Sequence, residues 1–202
     1  MKSLFAAVCL IAWSGAIASA SPVAYDAVLS GAAQSPPVVS PATGFAAVVF
    51  DLAAHSLFIS VTFQDLLGPD TASHIHCCTA APETGNAGVA TITPTFTGFP
   101  SGVTSGSYTH TFDTSLASAW NPSFVTAHGG ISGAEAAFAA GLASGEAYLN
   151  IHSSVFPGGE IRGFLEPAPE PATIVLGGAA LLGLLGLRRR ATHSPESRCN
   201  RA

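Results

Sequence analysis

The sequence predicts an all-β fold, a Greek-key β-sandwich or barrel with one short helix, between an N-terminal signal peptide and a C-terminal apolar helix. Three observations lead to this prediction. Residues 59–64 alternate between apolar and polar side chains, several short segments of strand character are separated by glycine and proline turns, and a single alanine-rich stretch carries helix start and stop residues.

The first element is not part of the fold. Residues 1–20 combine Lys2, an apolar run from Leu4 to Ile17 and the small residues Ala18-Ser19-Ala20. This is the layout of a secretory signal peptide with its cleavage site. We therefore expect the working protein to begin near residue 21 and to be exported.

A β-hairpin is predicted over residues 44–63. Its second arm places apolar side chains on one face and polar ones on the other, which is typical of a half-buried strand. Residues 73–77 and 88–93 are predicted as two further short strands, and residues 94–109, rich in glycine, serine and threonine, as a loop.

The helix is predicted over residues 132–145. Ser132 precedes Glu135 by three residues, the spacing of a capping box, and Gly145 follows as a stop. A final hairpin is expected from strands 146–152 and 160–165 around a Pro-Gly-Gly turn. We take residues 21–165 as one β-domain, long enough to bury a sizeable core.

The C-terminal region is divided into three parts. Residues 166–172 form a proline-rich spacer, residues 173–190 an apolar helix with an arginine cluster, and residues 191–202 a short polar tail. The apolar run 173–187 is shorter than the roughly 20 residues of a comfortable membrane span. The arginines would hold the C-terminus on the cytoplasmic side of the membrane.

This order of parts resembles the PEP-CTERM sorting signal of Gram-negative bacteria. The residues that carry the resemblance are Pro169, Glu170, Pro171, Arg188, Arg189 and Arg190. The resemblance implies a membrane protease of the exosortase type as partner, transient contact with the inner membrane, and delivery to the cell surface or the extracellular space. A tail anchor that is never cut uses the same residues and is the alternative. The polar tail is a departure, since such signals usually stop soon after the arginines.

Charge excludes one class of partner. Between residues 21 and 168, Arg162 is the only lysine or arginine and stands against ten aspartates and glutamates. Nucleic acid is therefore excluded as a natural partner, because neutralising phosphates requires basic residues. A cation is a more suitable ligand than an anion for this acidic region, residues 21–168, which we call the body.

Four segments of the body, 29–38, 72–76, 145–153 and 156–165, resemble in their order the CHRD domain, the module repeated in chordin and common in bacterial secreted proteins. The most specific part is an N-x-H strand followed by G-G-E-I-R-G. The resemblance implies an exported β-domain with a structural, adhesive or binding role, towards an extracellular polysaccharide or protein, and it supplies no catalytic mechanism. We accordingly expect no enzyme activity and no obligatory cofactor.

A metal site is the competing hypothesis. On a strand, residues i and i+2 share a face, so His74 and His76 project side by side, and His152 joins them if the two strands are neighbours. Three imidazoles suit Zn²⁺ or Cu²⁺, with Glu160 as a fourth ligand or a support. This would make the chain a metal-binding redox or storage domain. The alternative is that the histidines are hydrogen-bonded structural groups.

The remaining polar residues have structural interpretations. Glu160 and Arg162, two apart on one strand, favour a structural ion pair. Cys77 and Cys78 are adjacent, and in an oxidising compartment they favour a mutual disulfide. There are two alternatives for these cysteines. One of them binds the metal as a thiolate beside the histidines, or both form disulfide bridges to another chain.

Overall fold

The computed structural model describes residues 21–169. These residues form a mostly β domain with eight strands and two short α-helices. Residues 1–20 and 170–202 lie outside the described part, and with them the predicted signal peptide and the predicted apolar helix, as well as the arginine cluster, the polar tail, Glu170 and Pro171. Between residues 21 and 169, no helix is long and apolar enough to cross a lipid bilayer.

The strands form one antiparallel sheet that curls into a half-barrel. Its order is β4-β6-β7-β1-β2-β3-β5, and the two-residue β8 pairs with β1. The strands are β1 (Val23–Ser30), β2 (Thr43–Asp51), β3 (Ser56–Gln64), β4 (Asp70–His76), β5 (Gly106–Asp113), β6 (Tyr148–Ser153), β7 (Ile161–Phe164) and β8 (Glu166–Pro167). The barrel-like, mostly β class predicted from the sequence is thereby confirmed.

Both predicted hairpins are present. β2 and β3 pair over their whole length, and Leu57, Ile59, Val61 and Phe63 are buried as their alternation predicts. In the second hairpin Asn150 of β6 faces Arg162 of β7.

The structure corrects the prediction for several segments. β1 and β5 were not predicted, and β5 begins at Gly106 inside the expected loop. Residues 88–93 form only isolated bridges, at Val89 and Thr91, in place of a strand. Glu166 and Pro167, expected in the free spacer, pair with β1 at the sheet.

The longer helix, α2 (Ile131–Ala143), packs against the core face of the sheet. Its Phe138 meets Phe50 of β2 and Trp120 edge to face, at ring-centroid distances of 5.4 Å in both pairs. Such contacts bury large apolar areas in a favoured ring geometry. The hydrophobic core therefore lies between the sheet and α2.

The ends of α2 agree only in part with the prediction. Gly130, with φ 123°, is the N-cap, and no side chain caps the helix, so Ser132 does not form the expected capping box. Gly145, with φ 70°, does follow the C-cap as the sequence indicates. The second helix, α1 (Pro122–Ala127), was not predicted; Asn121 caps it by accepting from the Ser123 amide.

Glycine at position 163 allows β7 and β1 to approach. A Cβ atom built there would overlap the backbone carbonyl of Val28. We expect Gly163→Ala to lower the free energy of unfolding by about 1–3 kcal/mol, because one of the two strands must shift. Urea denaturation measures this change.

Gly158 supplies the matched control for that substitution. It lies in the turn before β7, and no atom lies within 4 Å of a Cβ built on it. Gly158→Ala should therefore change stability by only a few tenths of a kcal/mol. Equal effects of the two substitutions would contradict the close approach of β7 to β1.

Candidate functional site

The sheet brings the three sequence-predicted histidines together. β4 supplies His74 and His76, and the neighbouring strand β6 supplies His152. The ring nitrogens that these side chains offer lie within 4.8 Å of one another. We refer to His74, His76 and His152 as the histidine cluster.

The cluster lies on the face of the sheet that is turned away from the core. Ile75, Leu149 and Ile151 alternate with the cluster residues along β4 and β6 and are fully buried. The apolar neighbours thus fix which way the imidazoles point. His74 and His76 are themselves buried, with 6% and 8% of their surface exposed, because loops cover this face.

Each imidazole is oriented by one backbone carbonyl. His74 Nε2 bonds to the oxygen of Pro94 at 2.5 Å, His76 Nδ1 to that of Ala87 at 2.9 Å, and His152 Nδ1 to that of Pro157 at 2.9 Å. A carbonyl can only accept, so the bonded nitrogen of each ring carries the hydrogen.

The second nitrogen of each ring is therefore a free lone pair. These atoms are His74 Nδ1, His76 Nε2 and His152 Nε2, and all three are buried with no hydrogen-bond partner. A buried acceptor without a partner costs about 1–3 kcal/mol. Three of them in one cluster are unfavourable unless a shared ligand satisfies them.

Burial keeps the cluster neutral. It lowers the pKa of His76 from its ordinary 6.5 to about 4 and also lowers the pKa values of His74 and His152. Neighbouring rings contribute less: the charge of His152 would further lower the pKa of His74 and of His76. Uncharged imidazole is the form that binds metal ions.

The arrangement fits a transition-metal ion. A Zn²⁺ or Cu²⁺ site with histidine ligands places each nitrogen about 2.0–2.1 Å from the ion. The three side chains offer nitrogens within 4.8 Å of one another, close enough for one ion to be shared among them. In each ring, the nitrogen that carries the hydrogen donates to a backbone carbonyl. This is the usual way in which the protein orients a metal-ligating histidine.

Glu160 is not a fourth ligand. It is fully buried, and its Oε1 accepts from the Ser40 hydroxyl at 2.6 Å and from the Leu67 amide at 2.7 Å. Its Oε2 accepts from the Ser153 hydroxyl at 2.5 Å. The carboxylate thus ties the end of β6 to two loops, and the group of possible ligands in the described residues consists of the three histidines alone.

The expected ion pair between Glu160 and Arg162 is not formed. Among residues 21–169 the ion pair found joins His55 to Glu135. Arg162 instead donates to the carbonyls of Ala33 and Gly85 and to Asn86 Oδ1, at 2.6, 3.0 and 2.7 Å. Arg162 therefore holds loops in place. Glu160 accepts its three hydrogen bonds from uncharged donors instead of from Arg162.

Arg162 also supports the cluster through an aromatic stack. Its guanidinium lies 4.6 Å from the ring centre of Tyr148, and Tyr148 stacks on His76 at 4.8 Å with an angle of 7° between the rings. Tyr148 was not among the site residues predicted from the sequence. The signal that could have found it is its i, i+4 spacing from His152 on one strand.

Cys77 and Cys78 form a disulfide with each other. Cys77 follows His76 and lies on the opposite face of the sheet, buried in the core cluster against α2. In the described structure, therefore, neither cysteine is available as a thiolate to the histidine cluster. The mutual disulfide favoured by the sequence is the one that the structure contains.

The lowered pKa values predict how the metal-free protein responds to pH. In the unfolded chain the pKa of His76 is 6.5, so His76 binds a proton near that pH. In the folded protein its pKa is about 4, so it binds a proton only near pH 4. Stability is therefore complete above pH 6.5 and falls as the pH drops towards 4, by roughly 2–3 kcal/mol for His76. Denaturation in the presence of a chelator measures this loss. His76→Gln should make the decrease smaller, because glutamine does not titrate; a variant with the same pH dependence as the unchanged protein would contradict the burial effect.

Comparison with known proteins identifies the family of this fold. The CHRD domain matches residues 25–165. No curated protein and no solved structure shows significant similarity to the chain. CHRD domains are typical of secreted proteins, which is consistent with export. The matched segment runs from β1 to the residue after β7 and includes all three histidines, and the chain therefore belongs to the CHRD family.

Proposed function

We propose that this chain is an exported, non-catalytic CHRD module that binds one divalent transition-metal ion at the histidine cluster. The observation that carries the proposal is the set of three buried imidazole nitrogens that have no partner and lie in one cluster. Each is aimed by a carbonyl bond on the opposite side of its ring. Purely structural histidines would use the second nitrogen as well.

The ligand type restricts the metal. Imidazole nitrogen suits Zn²⁺ and Cu²⁺, whereas Ca²⁺ and Mg²⁺ require oxygen ligands, and the cluster contains none. A single site for one ion favours a binding or structural role over storage. The ion would retain an open coordination position, which suits an oxygen donor from an extracellular polysaccharide or protein.

The metal proposal predicts selective binding. Titration calorimetry of residues 21–169 with Zn²⁺ or Cu²⁺ should give one ion per chain, and Ca²⁺ and Mg²⁺ should give no heat. His76→Asn should weaken Zn²⁺ binding at least 100-fold, because one of three ligands is lost. Zn²⁺ at 100 times its dissociation constant should stabilise the protein by about 2.7 kcal/mol.

His110 supplies the control for the histidine substitution. It lies on β5, at the other end of the sheet from the cluster strand β4. His110→Asn should leave the stoichiometry and the affinity unchanged. The proposal fails if the protein binds no Zn²⁺ or Cu²⁺, or if both variants lose affinity equally.

We also propose that the C-terminal region directs sorting by an exosortase-type protease to the cell surface or the extracellular matrix. Pro169 to Pro171, the apolar run and the arginine cluster support this by their order in the sequence. The module would then serve at the surface in a structural or adhesive role, with contact to the inner membrane only in transit.

The sorting proposal predicts the mass of the mature protein. In a host that has an exosortase, the surface material should lack residues 173–190 when measured by mass spectrometry. Glu170→Ala should trap the uncut chain in the membrane fraction, whereas Glu166→Ala, outside the motif, should be processed normally. Mature protein that retains residues 173–190 would instead support a permanent tail anchor.

A further inference from the structure

The disulfide between Cys77 and Cys78 lies next to the histidine cluster but on the other face of the sheet. Cys77 directly follows His76, a member of the cluster, and is buried, whereas Cys78 is half-buried. The two sulfurs face α2 at Gly141, where a Cβ atom would overlap both of them. The disulfide thus fills the space between the end of β4 and the helix.

A cavity of about 400 Å³ gives access to this disulfide. Its wall includes both cysteines, the aromatic ring of Phe124, and the exposed His128. A small thiol can therefore approach the sulfur of Cys78 from the cavity, while Cys77 stays packed in the core.

The segment 87–89 links the disulfide to the histidine cluster. Cys77 donates its amide to the carbonyl of Gly88 at 3.1 Å, and His76 donates to the carbonyl of Ala87 at 2.9 Å. Val89 pairs with His76 in a β-bridge. A displacement of Cys77 would therefore move the carbonyl that orients His76.

Reduction would force such a displacement. Two thiols no longer joined by a covalent bond must separate to van der Waals distance. The helix side offers no room, because the backbone of Gly141 already contacts both sulfurs. The room lies on the side of the cavity, whose wall also includes Gly88 and Val89, so the movement displaces the end of β4 and segment 87–89.

We propose that Cys77–Cys78 is a redox site for a small dithiol, and that its reduction weakens metal binding at the histidine cluster. This inference rests on the proposed function, since it concerns the regulation of the same metal site. The observations that carry it are the open cavity beside Cys78, the filled space at Gly141 and the shared segment 87–89.

The chemistry is thiol–disulfide exchange. One thiolate of the dithiol attacks Cys78 Sγ, a new bond joins the two sulfurs, and Cys77 leaves as a thiolate that takes a proton from water. The second thiolate of the dithiol then attacks its partner sulfur in the mixed disulfide and releases Cys78. The dithiol is oxidised to a disulfide, and the two cysteines are reduced to thiols.

Zinc affinity in the two redox states tests the inference. Residues 21–169 are reduced with a phosphine, freed of the reductant by gel filtration under nitrogen, and titrated with Zn²⁺ beside the oxidised protein. We expect the dissociation constant of the reduced form to be at least tenfold higher. The variant with Cys77→Ala and Cys78→Ala is the control, and phosphine treatment should not change its affinity.

A second measurement separates this inference from the proposed function. In metal-free protein, reduction should shift the imidazole NMR signals of His76 and leave those of His110 unchanged. Equal zinc affinity of the oxidised and reduced forms would overturn the inference and leave the metal site standing. If neither form binds zinc, the proposed function fails, and unmoved His76 signals would then overturn the coupling as well.

Discussion

Each imidazole of the histidine cluster donates its only N–H to a backbone carbonyl, of Pro94, Ala87 or Pro157. Everything that the cluster can do depends on these three bonds. They fix the tautomer of every ring, so that each second nitrogen is a lone pair inside a buried space. A rotated ring would present a hydrogen there, and three convergent donors could not hold a cation. The loops that bring the carbonyls are thus as important to the site as the histidines.

Two buried charged residues hold those loops in place. Arg162 joins the segments around Ala33 and Gly85, close to the carbonyl of Ala87, and Glu160 joins the end of β6 to the loops at Ser40 and Leu67. Each makes several charge-assisted hydrogen bonds to uncharged partners, which satisfies the charge without an opposite ion. This explains why Arg162, the only lysine or arginine between residues 21 and 168, can bind carbonyl oxygens although ten carboxylates are present in that region.

The sequence predicted the strands that carry the cluster, because alternation and turn residues are local signals. His74 and His76 share a face for the same reason. His152 was expected to join them only if its strand was a neighbour, and β4 does pair with β6. β1 and β5 were missed, since Gly106 and the hydroxyl-rich residues after it read as a loop until they pair with β3. The roles of Arg162 and Glu160 depend on loop carbonyls and hydroxyls far away in sequence, which no spacing rule reveals.

Strand β4 separates two kinds of chemistry by its alternation alone. His76 faces loops and polar groups, where burial without a charged partner keeps it neutral, and Cys77 faces the apolar core and α2. Because the ligands at the cluster are neutral, a bound dication would keep its full charge. On a body this acidic, it would form an isolated positive centre that attracts an anionic oxygen donor to its open position. Under the proposed function, the neutral ligand set, more than the fold class, would therefore decide which extracellular partners the module can hold.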